Sequence, residues 1–389
     1  MILHWLLKCS MSKPFDVCIR GSGVVGRTLA LLLARERLRV ALVARPDSAS
    51  AVLAAPDLRA YALNSASQQL LSALRAWPDA LAATPVREMR VWGDAGGRLD
   101  FAAQKPAGAA GDQTLAWIVD VPALEQQLLD AVHYQSLIET VTAPVAAPLQ
   151  VICEGQKSSS RNEFGVNWTV KPYAQKAIAA RLQSDQAHHG VARQWFGQGE
   201  IIGLLPIGGA DGNSLALVWS VSVERAAALE KLSAEEFSVA LQTVCGAEAG
   251  RLQLDSAVSS WPLALSQAER WVGPGWALAG DAAHAVHPLA GQGLNLGLAD
   301  AAGLAAVIHG REYWRSLGDE RLLRRYERSR KGDAAAMGAV TDGLQGLFAQ
   351  SDVRWQALRN WGMNGFERSG PLKAWVRRQA MGLKTETGK

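Results

Sequence analysis

A glycine turn near the start of the chain constrains the fold more than any other feature. Residues 15–20 read as a short strand that runs into Gly21, Ser22, Gly23, Val24, Val25 and Gly26. A helix follows, with Leu29, Leu32 and Leu33 at helical spacing and charges at Arg35, Glu36 and Arg37; residues 39–43 form a second buried strand. Strand, glycine turn, helix and strand within about 30 residues make a dinucleotide-binding βαβ unit. Gly21 permits the tight turn, Gly23 lets a pyrophosphate approach the backbone, and Gly26 allows close helix–strand packing. The helix N-terminus offers unpaired N–H groups and a positive dipole end to phosphate.

The second strand ends without the acid that commonly holds a ribose hydroxyl pair. That position is Ala44, followed by Arg45, with Asp47 beyond it. An arginine here suits a 2′-phosphate and hence NADP, or it is a solvated loop residue; the fingerprint alone does not choose.

Composition narrows the class. Forty-nine per cent apolar and twenty per cent charged residues describe a folded chain, not a disordered one. No run approaches the ~18 apolar residues of a membrane span. Four scattered cysteines, Cys9, Cys18, Cys153 and Cys245, form no C-x-x-C pair, so a disulfide scaffold or zinc module is not expected and a reducing cytoplasm is. Residues 1–10 read as a tail or an upstream start before Met11. The net charge of +4 is concentrated at the C-terminal end: residues 350–389 carry eight Lys/Arg against three acids. That end reads as a solvated helical face or as a contact for an anionic membrane or acidic partner. No nucleic-acid module is present, and no Gly-x-Ser-x-Gly elbow.

The middle of the chain changes character. Residues 173–182, 191–196, 200–205 and 214–221 are short segments rich in aromatic and branched residues, the last two separated by Gly208-Gly209 and Asp211-Gly212. They predict an antiparallel or mixed sheet, inserted into the first domain. Stretches 102–111 and 142–148 read as loops. From Ser233 onward the pattern reads as helical, and the last ~75 residues as helices with arginine-rich faces.

A second glycine motif lies at the end of another buried strand, residues 276–279. Gly280-Asp281-Ala282-Ala283-His284 is followed by His287-Pro288-Leu289-Ala290-Gly291-Gln292-Gly293-Leu294-Asn295, which opens a helix. In physical terms this is an anion-stabilising helix start beside a carboxylate able to bind a polyol.

This pair of segments resembles the second FAD-binding motif of the single-component aromatic flavin monooxygenases, and within them the ubiquinone-biosynthesis hydroxylases. Arg59-Ala60-Tyr61-Ala62-Leu63, Tyr173-Ala174-Gln175-Lys176-Ala177, Leu204-Leu205-Pro206, Trp219-Ser220, Arg325-Tyr326-Glu327-x-x-Arg330 and Arg359-Asn360-Trp361-Gly362 fit the same group. The resemblance spans roughly residues 12–383. It implies an α/β fold: a Rossmann-like FAD-binding domain (12–75, 112–160 and 266–345), an inserted mixed or antiparallel-sheet substrate domain (76–111 and 161–265) and a helical C-terminal segment (346–389).

The resemblance also implies roles. FAD would be bound by the Gly21–Gly26 turn, with Ala44 and Arg45 at the end of the second strand. Asp281 after Gly280 would hold the ribityl chain, and Arg59 would reach the pyrophosphate or ring edge. Pro288 would line the reactive face, and the amides of Gly291, Gln292, Gly293, Leu294 and Asn295 would face the pyrimidine end. A polyprenyl phenol or quinol would be hydroxylated through a flavin hydroperoxide, with NADPH or NADH as reductant. Neither a general base nor a metal ligand is named. Partners would be the prenylated substrate and other ubiquinone-biosynthesis proteins, with a peripheral contact on the cytoplasmic side of the membrane.

Three departures favour an alternative, an accessory protein of this fold with weak FAD binding: Ala44 lacks the acid, Glu154-Gly155 stands where the family has Asp-Gly, and Val121-Pro122 replaces an Asn-Arg pair. His284 reads as a structural hydrogen-bonding residue, and His188-His189 as surface residues of a loop.

Overall fold

A computed structural model describes residues 14–44, 57–93, 97–102, 114–197, 199–209, 211–285 and 292–349, without the side chains of 292 and 337–349. The N-terminal tail, Arg45, Asp47, His287, Pro288, Gly291 and the basic segment 350–389 lie outside the described residues.

The first strand, Val17–Arg20, is wholly buried. It sits in the interior of a six-stranded sheet, pairing in parallel with Val40–Val43 on one side and Leu149–Ile152 on the other. Ile138–Val141 and Trp276–Leu278 extend that parallel set, and Val272–Gly273 closes the edge antiparallel. Strands covered on both faces carry continuous apolar runs, as Val-Ala-Leu-Val at 40–43 does. Helix Val24–Arg35 turns its buried residues Leu29, Ala30 and Leu33 to the core shared with helices Val121–His133 and Gln292–His309.

A nine-stranded mixed sheet holds the middle of the chain. Its longest member, Trp168–Ser184, pairs antiparallel with Ser214–Ser222 and Ser259–Ala268, and Glu200–Pro206 joins Ser214–Ser222 to Val191–Gly197. Glu88–Trp92 adds to Val191–Gly197 in parallel, which makes the sheet mixed. Helices Val223–Leu229 and Ala234–Cys245 cover one face around Trp219 and Phe237. The other face meets a three-stranded antiparallel sheet, Ala60–Leu63, Ala116–Asp120 and Ala83–Val86, through an apolar seam that includes Ala60, Ala62, Ile118, Ala192 and Leu205.

One expectation is overturned here. The segment after Ser233 is helical only to Cys245; Leu252–Leu254 and Ser259–Ala268 are strands. Pro262 hid the second of these, since proline lacks the ladder N–H and is confined to edges and irregularities. It faces Lys176 just where the register with Trp168–Ser184 shifts, between Pro172 and Lys176. Helix Glu320–Ala349 closes the described chain. Among the described residues no helix is long and apolar enough to cross a membrane.

Candidate functional site

The three glycines of the first turn have different reasons for being glycine. Gly21 has φ +110°, and a Cβ there would lie 2.5 Å from the Cys153 carbonyl oxygen. At Gly26 it would lie 1.9 Å from the Gly21 oxygen. Both are required by the protein's own packing. Gly23 is not: it is exposed, its φ of −75° suits any residue, and a Cβ would meet nothing within 4 Å. It is the N-cap of Val24–Arg35, no side chain caps that helix, and its first turn holds no acid. The open space over Gly23 therefore faces uncapped N–H groups and a positive dipole end, an arrangement built for an anion. Ser22 is half-buried beside it, and Val24 is buried.

Val25 joins this turn to the second motif. A Cβ on Gly280 would come within 3.2 Å of the Val25 side chain, and one on Gly297 within 2.8 Å. Gly280 has φ +64° and opens the 3-10 turn Gly280–Ala282 at the end of strand Trp276–Leu278. That turn presents Asp281, which is exposed to solvent yet surrounded by enough protein to lose hydration, as befits the wall of a recess. Desolvation raises its carboxyl above the usual Asp value, and Asp300 adds to the effect; His284 and Arg59 oppose it.

Behind the turn lies a buried charge cluster. Asp300, fully buried, accepts the Gly280 N–H at 3.0 Å and contacts His284 Nε2 at 2.6 Å through one oxygen. Its other oxygen accepts from Arg330 Nε at 2.9 Å. The His284 ring stacks on Trp271 with centroids 4.8 Å apart. Tyr326 donates to the Leu278 carbonyl at 2.8 Å, and Glu327 accepts the Trp271 N–H at 2.8 Å. The Arg325–Arg330 motif thus braces the strand and turn that carry Asp281. Sequence reading found the motif but not its targets, and Asp300 was missed because a lone acid in an apolar helix carries no periodic signal.

Helix Gln292–His309 begins beside the same recess, so Gly293 and Leu294, both half-buried, and buried Asn295 lie in its first turn. The Asn295 side chain is a brace: Oδ1 accepts from Asn64 N–H at 3.0 Å and Ser67 Oγ at 2.7 Å, and Nδ2 donates to the Ala62 carbonyl at 2.8 Å. Arg59, just before the adjoining strand, is exposed and paired with Asp57, Nη2 to Oδ2 at 2.6 Å; those hydrogen bonds raise its already high pKa. Half-buried Tyr61 sits close enough to Arg59 and Asp281 to feel both charges. A recess of about 270 Å³ lined by Arg27, Asp57, Pro122 and Glu125 lies alongside.

The departures acquire structural roles. Glu154 accepts from Ser158 Oγ at 2.7 Å and Ser160 Oγ at 2.9 Å, tying down the loop it precedes. Val121 is buried in the first turn of its helix, with Pro122 next to it. Ala44 is half-buried, and its backbone N–H donates to Val141. His188 is a correction: it is buried, its Nε2 lies 2.9 Å from the Ile207 carbonyl, and its Nδ1 accepts from Gly190 N–H at 3.0 Å. The ring is therefore the neutral Nε2–H tautomer, and desolvation lowers its pKa. His189, next in the chain, takes the left-handed conformation at φ 51°.

Comparison with known proteins agrees with this geometry. A family profile described as "FAD binding domain" matches residues 109–341. The chain is 32% identical to the ubiquinone hydroxylase UbiL of Rhodospirillum rubrum, over 96% of its own length and 91% of the relative's. It is 27% identical to the 3-demethoxyubiquinol 3-hydroxylase of Escherichia coli, covering 96% of this chain and all of that one. Among solved structures, p-nitrophenol 4-monooxygenase PnpA of Pseudomonas putida superposes with a TM-score of 0.73 at 16% identity, covering 96% of this chain and 99% of that one. PqsL of Pseudomonas aeruginosa in complex with 2-aminobenzoylacetate gives 0.72 at 21%, covering 89% and 99%. These structures establish the common fold. With the profile spanning more than half its length and a relative matching almost end to end, the chain belongs to the FAD-binding domain family, on the branch of the ubiquinone-biosynthesis hydroxylases.

Proposed function

We propose that this protein is an FAD-dependent monooxygenase that hydroxylates a polyprenylated phenol or benzoquinol ring in ubiquinone biosynthesis, consuming NAD(P)H and dioxygen. The observation that carries the reading is the junction of the two glycine motifs at Val25, where the uncapped helix that starts at Val24 packs against the Gly280 turn that carries Asp281. A flavin dinucleotide needs that combination: an anion cradle for its pyrophosphate and an acceptor for its polyol chain. The relatives named as ubiquinone hydroxylases give the substrate class.

Gly21–Gly26 would hold the pyrophosphate, Asp281 the ribityl hydroxyls, and Arg59 a phosphate or the ring edge. The first-turn amides from Gln292 to Asn295 would meet the pyrimidine end, where their dipole favours negative charge. Reduced FAD supplies the activation of dioxygen and the transfer of one oxygen atom to the ring. The chain's task is to position the ring and exclude water. The apolar seam of Ala60, Ala62, Ile118 and Leu205, which packs the two sheets together, begins at the strand pinned by Asn295, and its edge would offer a prenylated ring apolar surroundings. The flavin part would comprise 12–75, 112–160 and 266–345 and the substrate part 76–111 and 161–265; the six-stranded sheet falls wholly in the first and most of the nine-stranded sheet in the second, while the three-stranded sheet joins them through Ala83–Val86. Peripheral membrane contact and association with other biosynthetic proteins belong to the same proposal, motivated by the basic C-terminal sequence.

The test is an absorbance spectrum of the purified protein before and after addition of FAD and removal of the excess. The two bands of oxidised flavin at about one equivalent per chain are expected, followed by substrate-dependent NAD(P)H oxidation and a product one oxygen heavier. Protein that stays colourless after reconstitution defeats the reading and favours the accessory role.

A further inference from the structure

We infer that Asp300 is a positioning residue for the flavin site, holding the turn that presents Asp281 and tying it to the last described helix through Arg330. The inference rests on the flavin reading of the recess. Asp300 is 0% exposed, and its bonds among the described residues run to the back of the motif. One oxygen takes the Gly280 N–H at 3.0 Å and His284 Nε2 at 2.6 Å, and these residues flank Asp281 on both sides in the chain. The other takes Arg330 Nε at 2.9 Å. Arg330, itself 7% exposed, also pairs with Asp333 at 2.5 Å and reaches the Leu296 carbonyl at 3.5 Å, so one guanidinium links the helix at 320–349 with the helix that starts at the recess.

Gly280 adopts a left-handed backbone conformation and has no side chain with which to anchor itself, so the Asp300 acceptor fixes the N–H of that turn. Rotation of this peptide would swing Asp281 away from its place near Arg59 and Tyr61. The cluster is also electrical. Arg59, Tyr61, His284 and Asp300 are the ionisable groups facing Asp281, and Asp300 is the repelling acid, its charge balanced by Arg330.

The experiment uses full-length apoprotein and the variants Asp300→Asn, Arg330→Gln and Arg330→Lys, titrated with FAD by fluorescence quenching between pH 4 and pH 8, with circular dichroism as a check of fold. Asp300→Asn should raise the FAD Kd about tenfold at neutral pH, because one amide oxygen cannot serve Gly280, His284 and Arg330 together. Arg330→Lys, which keeps the charge, should restore most of the affinity lost in Arg330→Gln. The pH at which FAD affinity falls should move down in Asp300→Asn, where a repelling charge is removed, and up in Arg330→Gln, where that charge is uncovered. A purely structural role would lower thermal stability while leaving the Kd of the folded protein and its pH profile unchanged, and that result overturns the inference. If Asp300→Asn does not fold, the Arg330 pair decides, since the rescue and the upward shift are both readable there. Failure of the wild-type protein to bind FAD sinks the flavin reading itself, a separate outcome.

Discussion

Replacing Gly23 with alanine separates binding from folding. The backbone there sits at φ −75° and ψ −175°, which alanine adopts without strain, and the new Cβ would meet no protein atom within 4 Å. Loss of unfolded-state freedom contributes about 0.4–1 kcal/mol of stability. Alanine is a poorer N-cap than glycine by a similar amount. Apoprotein stability should thus stay within about 0.5 kcal/mol of wild type. The methyl group would, however, stand in the space over the uncapped N–H groups. Forcing a phosphate away from even one charge-assisted bond costs about 1.5–3 kcal/mol, so the FAD Kd should rise at least tenfold or so. Gly26→Ala is the opposite control: its Cβ would lie 1.9 Å from the Gly21 oxygen, so the turn itself must move, at about 3 kcal/mol or more. Urea unfolding of the apoproteins and FAD titration of each would be measured side by side. Wild-type FAD affinity in Gly23→Ala, or a stability loss matching that of Gly26→Ala, would refute the assignment of this turn to the pyrophosphate.

Asp281→Asn should weaken FAD binding yet stabilise the apoprotein at neutral pH. The folded-state pKa of Asp281 is raised, so its ionised form opposes folding above that pKa, and the penalty fades as pH falls toward the ordinary Asp value of 3.8. A variant melting below wild type at pH 7 without FAD would contradict this. Removing the Glu154 carboxylate (Glu154→Ala) strips the acceptor from Ser158 and Ser160 and should cost about 2–3 kcal/mol, read as a lower urea midpoint; an unchanged midpoint would make that carboxylate idle. For His188 the folded pKa lies below 6.5, so the neutral ring's contribution is complete above 6.5 and is lost as pH falls through the folded value. His188→Gln should flatten the melting-temperature profile over that acid window, and an identical profile would exclude the ring as its source. Tyr326→Phe leaves the Leu278 carbonyl without its buried partner and should cost about 1–2 kcal/mol in chemical denaturation with substrate KM unaltered; a raised KM would give Tyr326 a different role.

The flavin half was legible because its chemistry demands residues with few substitutes. Gly21 and Gly26 are fixed by contacts with backbone oxygens, and the strand, turn and helix around them fall where periodicity places them. In the middle of the chain, residues 191–196, 200–205 and 214–221 read as strands and are strands, since each carries branched or aromatic residues between turn glycines. Trp168–Ser184 begins five positions before the expected Tyr173, because Pro172 sits at a register shift that no local signal announces. Long-range partnerships stayed hidden for the same reason. Nothing in sequence ties Asp300 to Gly280 and Arg330, or Asn295 to Ala62, since each bond is made only once distant segments have docked. His188 looked like a loop residue and is one, but the turn folds back onto Ile207 and buries it.

The order of strands in the flavin sheet bears on how the chain reaches this structure at all. Val17 pairs with Leu149, and Gln150 in turn with Trp276, so the interior of that sheet is assembled from segments that leave the ribosome far apart in time. Part of the mixed sheet is more local, with Glu200–Pro206 folding directly onto Ser214–Ser222. Non-local parallel pairing is slow, and its waiting strands are aggregation-prone while unpaired. The early strands Val17–Arg20 and Val40–Val43 are wholly apolar apart from Arg20; they pair with each other, but their outer partners, Leu149–Ile152 and Ile138–Val141, come much later in the chain. During synthesis Cys153, which underlies the first glycine turn, emerges before the 200–222 hairpin, whereas Gly280, which packs on Val25 of that turn, emerges only after it, so the junction of the two glycine motifs must wait for the middle sheet.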